Sequence, residues 1–214
     1  MYLSRVELNE YRRQTMRALS SPEIMHAAVM AAFPVSPPMD GRILWRIDRV
    51  GAALFLLIQS PGMPDLTHVV EQFGMPASGQ SWDTVDYGAH IEKMRTGAIV
   101  RFRLRANPTH SEKIEGARGK VHPHITSTQQ MEWLIRRSDR CGFTLESEDG
   151  SLGAEIVQRE KVRFQRQGGT VTISMATFEG VLRITDEVLF RTAMVEGIGR
   201  AKAYGCGLIT TIFA

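Results

Sequence analysis

Gly197-Ile198-Gly199-Arg200-Ala201-Lys202-Ala203-Tyr204-Gly205-Cys206-Gly207-Leu208 is the stretch on which the fold turns. Glycines let backbone approach a ligand closely, and Arg200 and Lys202 would present charge to a polyanion such as a phosphodiester chain. A dinucleotide-binding GxGxxG must follow a strand and open a helix within a βαβ unit. Here residues 187–195 (Glu-Val-Leu-Phe-Arg-Thr-Ala-Met-Val) read as a helix before the loop, and Gly207 to Phe213 reads as a strand after it. The order helix, glycine loop, strand excludes the dinucleotide reading. A plain helix C-cap and tight turn would use one or two of these glycines, and that reading stands beside phosphate contact.

Outward from the loop, the second half reads as strand Ile99 to Arg105, polar loop 107–126, helix Ser127 to Arg140, and strands from Phe143, Ala154 to Arg166 and Thr170 to Met175. Strand Val181 to Thr185, the 187–195 helix and the final strand follow. Allowing for an inserted hairpin, this is β-α-β-β-α-β. The first half repeats the order: strand 2–9, helix Pro22 to Phe33, strands Ile43 to Asp48 and Ala52 to Gln59, and a poorer helix Asp65 to Phe73. An irregular segment from Gly74 to Gly97 holds the closing strand and a linker. The predicted class is α+β: tandem ferredoxin-like, RNA-recognition-like domains over 1–94 and 95–214, each with a four-stranded antiparallel sheet.

With 43% hydrophobic and 23% charged residues, 214 residues can bury a core in each half, which excludes a disordered chain. No apolar stretch approaches the roughly 20 residues of a membrane span, and the opening Met1 to Leu8 alternates like a strand rather than a signal peptide. A cytoplasmic location without membrane partners is expected. Cys141 and Cys206 lack CxxC spacing and histidine partners, so they are expected to be inert thiols. The net charge of +3 conceals a concentration: from Arg95 to Arg140 there are ten Lys/Arg against four acids. Such clustering is the footprint of a nucleic-acid binder, because phosphate contacts supply most non-specific affinity.

Two strands carry arginine and lysine at period two. Arg159, Lys161 and Arg163 share one face of their strand, with Val162 and Phe164 on the other, and the turn Gln167-Gly168-Gly169-Thr170 closes a basic ribbon ending near Arg166. Arg101, Arg103 and Arg105 form a second ladder opposite Phe102 and Leu104. Both rows suit a phosphate backbone, while a solvated strand face is the plainer reading. Arg136, Arg137 and Arg140 lie on the exposed side of their helix. Ser20-Ser21-Pro22-Glu23 reads as a helix start with Ser as cap and Glu completing a capping box. His26 then falls one turn in, beside the apolar stripe of Met25, Val29, Ala32 and Phe33, able to face a cleft. His110, His122 and His124 sit in a polar loop without cysteine or spaced carboxylate partners. No metal site and no cofactor are expected.

The whole pattern resembles the CasE family of CRISPR repeat-processing endoribonucleases. The matching pieces are Met1-Tyr2-Leu3-Ser4-Arg5, Pro22…Met25-His26 with Phe33-Pro34, Arg101-Phe102-Arg103-Leu104-Arg105-Ala106-Asn107-Pro108, Phe178-Glu179-Gly180-Val181-Leu182, and Gly197-Ile198-Gly199…Ala201-Lys202…Gly205-Cys206-Gly207-Leu208. The resemblance implies metal-independent cleavage of CRISPR precursor RNA at the base of the repeat hairpin. It also implies that the enzyme stays on the mature guide RNA with the other Cascade subunits, its basic hairpin and glycine loop holding the stem. The family's histidine falls on His26. Similar proteins commonly carry tyrosine three residues earlier, where this chain has Glu23.

Metal-free cleavage uses the adjacent 2′-hydroxyl as nucleophile and leaves a 2′,3′-cyclic phosphate, so it needs proton transfer and cations beside the phosphorane. Glu23, one turn from His26, is expected either to hydrogen-bond the imidazole and favour its charged form or only to complete the helix cap. The competing function is a non-catalytic RNA-binding subunit, which would bind without scission. A nucleotide-dependent enzyme using the glycine loop would bind ATP or NAD.

Overall fold

The computed structural model describes residues 1–33, 41–75, 82–114, 116–145, 150–166 and 169–213. Pro34, Gln167 and Gly168 of the expected motifs lie outside the described residues. Strand β1 (Tyr2–Leu8) is followed by helices α1 (Arg13–Ser20) and α2 (Pro22–Met30), strands β2 (Leu44–Val50) and β3 (Ala53–Ser60), helix α3 (Thr67–Phe73), strand β4 (Trp82–Asp86) and the short helix α4 (Gly88–Glu92). The four strands form one antiparallel sheet in the order β2-β3-β1-β4. Alternation sends Val6 and Leu8 of β1 and Leu54, Leu56 and Ile58 of β3 to one face, where Met25, Val29, Val69 and Phe73 from the helices and Leu66 just before α3 bury them.

Strand β5 (Ile99–Ala106), the hairpin β6 (Thr109–Ile114) and β7 (Ala117–Pro123), helix α5 (Ser127–Ser138), strands β8 (Phe143–Thr144), β9 (Ala154–Arg166) and β10 (Gly169–Ile184), helix α6 (Glu187–Glu196) and strand β11 (Ile209–Phe213) complete the chain. The second sheet runs β11-β5-β10-β8, with β9 also paired to β10. β8 and β9 thus share one long edge of β10, giving five antiparallel strands rather than the expected four. Its core joins Phe102, Leu104, Phe178 and Leu182 of the sheet to Leu134 of α5 and Phe190 and Met194 of α6.

The departures from the sequence reading have local causes. α1 has no apolar stripe, because only Thr15 and Ala18 are buried beneath arginine-rich turns. The 107–126 loop contains the β6–β7 hairpin, whose polar sequence hides its period. β10 runs unbroken through Ala176 to Gly180, because Gly180 takes a φ of +152° and a Cβ there would fall 2.0 Å from the Gly153 carbonyl oxygen. The capping box at Ser20 does not form: Ser20 ends α1 and donates its hydroxyl to the Arg17 carbonyl, and Ser21, which precedes α2, makes no side-chain cap bond. A complete box instead opens α5, where Thr126 and Gln129 satisfy each other's backbone.

The sheets are joined around Arg46 of β2, which is buried to 1% exposure. Its Nη1 donates to the carbonyls of Arg103 and Leu208, each at 2.9 Å, and its Nη2 donates to Thr210 Oγ1 and to Asp48 Oδ2, each at 2.8 Å. Gln59 of β3 adds a bond to the Met194 carbonyl at 2.7 Å. One side chain therefore fixes β2 against β5 and the approach to β11.

Candidate active site

α2 starts where Pro22 takes the first helical position, after the extended residue Ser21. Met25 and Val29 anchor it in the first core, leaving Glu23 and His26 at the rim. His26 is half-buried, and its Nδ1 is sealed from solvent with no hydrogen-bond partner among the described residues. Burial holds its pKa below the ordinary imidazole value of 6.5; Arg166 adds to that depression and Glu23 opposes it more weakly. This corrects the expected Glu23–His26 pairing. No bond joins the two side chains among the described residues, and the surroundings favour the neutral ring rather than the imidazolium.

The opposing wall comes from the second half of the chain. On β9, Phe164 is buried with Ile173 and Met175 of β10 and with Cys206. Arg166, two residues on, lies on the same strand face as Phe164 and so turns toward α2 instead of joining Arg159, Lys161 and Arg163 on the outer face. Its Nε is 3.8 Å from Glu23 Oε1, and its guanidinium lies 5.8 Å from the centre of the Tyr204 ring. Tyr204 packs edge-on to Phe164 at 5.0 Å. It also lines a cavity of about 240 Å³ between the sheets, with Pro22, Trp45 and Glu160 among the other walls. Glu23, His26, Arg166 and Tyr204 are thus brought together from three distant segments.

The two arginine ladders behave differently. Arg159, Lys161 and Arg163 remain exposed, although Arg159 is tied to Gln130 Oε1 at 3.0 Å and to the Ile125 carbonyl. In the other ladder only Arg101 is exposed. Arg103 pairs with Asp48 at 3.2 Å and with Glu179, while Arg105 pairs with Glu160. Their side chains are 28% and 14% exposed. The reading of Arg103 and Arg105 as an open cationic row is therefore corrected: Asp48 of β2 meets Arg103 from the first sheet, and Glu179 on β10 and Glu160 on β9, in the same sheet as β5, pair with Arg103 and Arg105. Arg46 does not stand out in the sequence; the signal available was Arg46 and Asp48 two apart, on the same face of β2 as Leu44.

The glycine loop is likewise pressed into the joint. A Cβ at Gly205 (φ +78°) would meet the Trp45 ring at 2.8 Å, and one at Gly197 (φ +75°) would meet Leu44 at 2.9 Å. Gly199 packs against Trp133. Close packing therefore accounts for these glycines, and the loop offers charge through exposed Arg200 and half-buried Lys202. Burial, followed by the cation Arg42, lowers the pKa of Lys202. On α5, Arg136 pairs with Glu132 at 3.0 Å and Arg137 lies over Trp133 at 5.5 Å. His110 stacks on His122, which meets Glu112 at 3.0 Å. The Cys206 thiol is pushed up to about 12 by burial, and burial also raises that of Cys141, so both stay protonated near neutrality.

A family model described as CRISPR associated protein matches residues 1–212. The chain belongs to that family. It is 28% identical over 221 residues to the CRISPR-associated endoribonuclease Cse3 of Thermus thermophilus, covering 98% of this chain and 99% of that protein. It is also 28% identical to the CRISPR system Cascade subunit CasE of Escherichia coli, with 98% of each chain covered. Among solved structures, a CRISPR endoribonuclease Cse3 bound to a 19-nucleotide RNA superposes with a TM-score of 0.81 at 28% identity, covering 99% of this chain and 100% of that one. Among the described residues, no helix is long and apolar enough to cross a membrane.

Proposed function

We propose that this protein is a metal-independent endoribonuclease that cuts CRISPR precursor RNA at the base of the repeat hairpin and stays on the guide RNA as a Cascade subunit. The observation that carries the reading is a proton-transfer group and a cation brought close together from the two halves of the chain: His26 on α2 and Arg166 on β9. The names of the Thermus and Escherichia relatives and the RNA-bound Cse3 structure support it. Strand orders β2-β3-β1-β4 and β11-β5-β10-β8 support tandem ferredoxin-like domains over 1–94 and 95–214. A cytoplasmic location belongs to the same reading.

His26, neutral near pH 7, acts as the general base. With Nδ1 sealed, Nε2 takes the proton from the 2′-hydroxyl, whose oxygen then attacks the adjacent phosphorus and expels the 5′-oxygen of the next nucleotide, which takes a proton from water to become the 5′-hydroxyl. Arg166 stabilises the charge building on the phosphorane oxygens. Lys161, Arg163 and Arg159 on the outer face of β9, with Arg101, Arg200 and Lys202, hold the backbone of the stem. Gly199 seats the loop that carries the last two.

The test is a labelled repeat hairpin incubated with the protein in EDTA. Cleavage leaving a 2′,3′-cyclic phosphate, and no cleavage when the nucleotide before the cut is 2′-deoxy, are expected. Tight binding without scission would establish the non-catalytic RNA-binding subunit instead.

A further inference from the structure

Glu23 does not reach His26, yet it stands within ion-pair distance of Arg166, whose guanidinium lies over the Tyr204 ring. We propose that Glu23 and the Tyr204 ring form a clamp that holds the Arg166 guanidinium beside His26, making both of them positioning residues for the cation that meets the reacting phosphate. The proposal rests on the endoribonuclease reading for its consequence in catalysis, and on geometry alone for the clamp.

The need for a clamp follows from where Arg166 sits. It is the last residue of β9, and its side chain is 48% exposed. A long side chain there samples many rotamers unless something orders it. Glu23 approaches through Nε, one edge of the guanidinium, so the Nη1/Nη2 edge is the fork that matches two phosphate oxygens. The Tyr204 ring attracts the same cation through its π face, where an aromatic needs no hydroxyl. Phe164, packed edge-on to that ring, fixes the ring itself. Glu23 comes from the first half of the chain, Tyr204 from the glycine loop and Arg166 from the ribbon. The clamp therefore closes only when all three are assembled, and it gives the carboxylate at position 23 a role that does not depend on bonding the imidazole. Glu23 in the first turn of α2 also favours the helix dipole. That structural role would alter stability without altering Arg166.

Two measurements on the full-length protein decide the matter. The first is the order parameter of the Arg166 Nε–H in the RNA-free protein. It is expected to fall from the ordered range to below about 0.6 in Glu23→Gln and in Tyr204→Leu, and to stay ordered in Tyr204→Phe. The second is single-turnover cleavage in wild type, Glu23→Gln, Arg166→Gln and the double variant. Arg166→Gln is expected to slow the chemical step about 100-fold and Glu23→Gln about tenfold, with less than a twofold further loss when Glu23→Gln is added to Arg166→Gln. Unchanged Arg166 order in Glu23→Gln, or the same tenfold loss in both backgrounds, would overturn the clamp. A wild-type protein that does not cleave would remove the endoribonuclease reading, while the order parameters would still decide the clamp.

Discussion

Replacing Arg46 by alanine should weaken the joint between the two sheets more than any other single change considered. Arg46 is 1% exposed and satisfies the Arg103 and Leu208 carbonyls, Thr210 Oγ1 and both oxygens of Asp48. Asp48 keeps Arg103 at 3.2 Å, so its charge is only partly stranded. The Leu208 carbonyl belongs to a fully buried residue and loses this donor. Removing one partner of a buried, hydrogen-bonded ion pair costs about 3–5 kcal/mol, and each buried polar group left unsatisfied costs about 1–3 kcal/mol of that kind. Because such terms overlap, the expected loss is about 4 kcal/mol, a large share of the roughly 5–15 kcal/mol by which folded domains are stable. Equilibrium urea unfolding followed by far-UV circular dichroism, with linear extrapolation to water, measures it. Arg46→Lys should recover only part, since one ammonium cannot span Asp48 and the Arg103 and Leu208 carbonyls together. A loss below about 1 kcal/mol in Arg46→Ala would refute the claim that this side chain holds the sheets together.

Because burial and Arg166 lower the His26 pKa, a base that must be neutral becomes active at a lower pH than a free imidazole. The acid limb of kcat/KM, which reports the free enzyme, is expected below 6.5 and should move upward in Arg166→Gln. Gly205→Ala forces a left-handed alanine against Trp45 and should cost about 2 kcal/mol, read calorimetrically as a Tm lower by roughly 4–8 °C. Removing two exposed cations together, Lys161→Ala with Arg163→Ala, should reduce the slope of log K against log salt for the hairpin by nearly 2, about 0.9 per phosphate contact. The Cys206 thiol, pushed up to about 12, should resist iodoacetamide at pH 8 in the native protein and react after unfolding, as mass spectrometry would record.

The sequence carried the fold wherever burial wrote a period. β1, β3, β5 and β9 alternate, α5 and α6 show apolar stripes, and the order around the glycine loop separates this topology from a nucleotide-binding one. What stayed hidden has weak or no such period: α1 covers the core with Thr15 and Ala18, and the β6–β7 hairpin has few large apolar side chains to mark a face. The site was half legible. His26 on its helix rim and the cations of β9 could be read from spacing. Arg103 and Arg105 misled because a period-two arginine row looks the same whether it faces solvent or meets acids on neighbouring strands of its own sheet and on β2. The place of Arg166 depends on parity along β9, and its neighbours Glu23 and Tyr204 lie far away in sequence. Only the folded chain brings them together.

The central claim is that His26 transfers a proton during RNA cleavage while other residues hold the RNA. Comparing His26→Ala with wild type on one labelled repeat hairpin in EDTA tests it most directly, with the dissociation constant and the single-turnover rate measured on the same substrate. Binding within about threefold and a rate lower by about 10²–10⁴-fold are expected of the variant. A variant that binds and cleaves like wild type would contradict it.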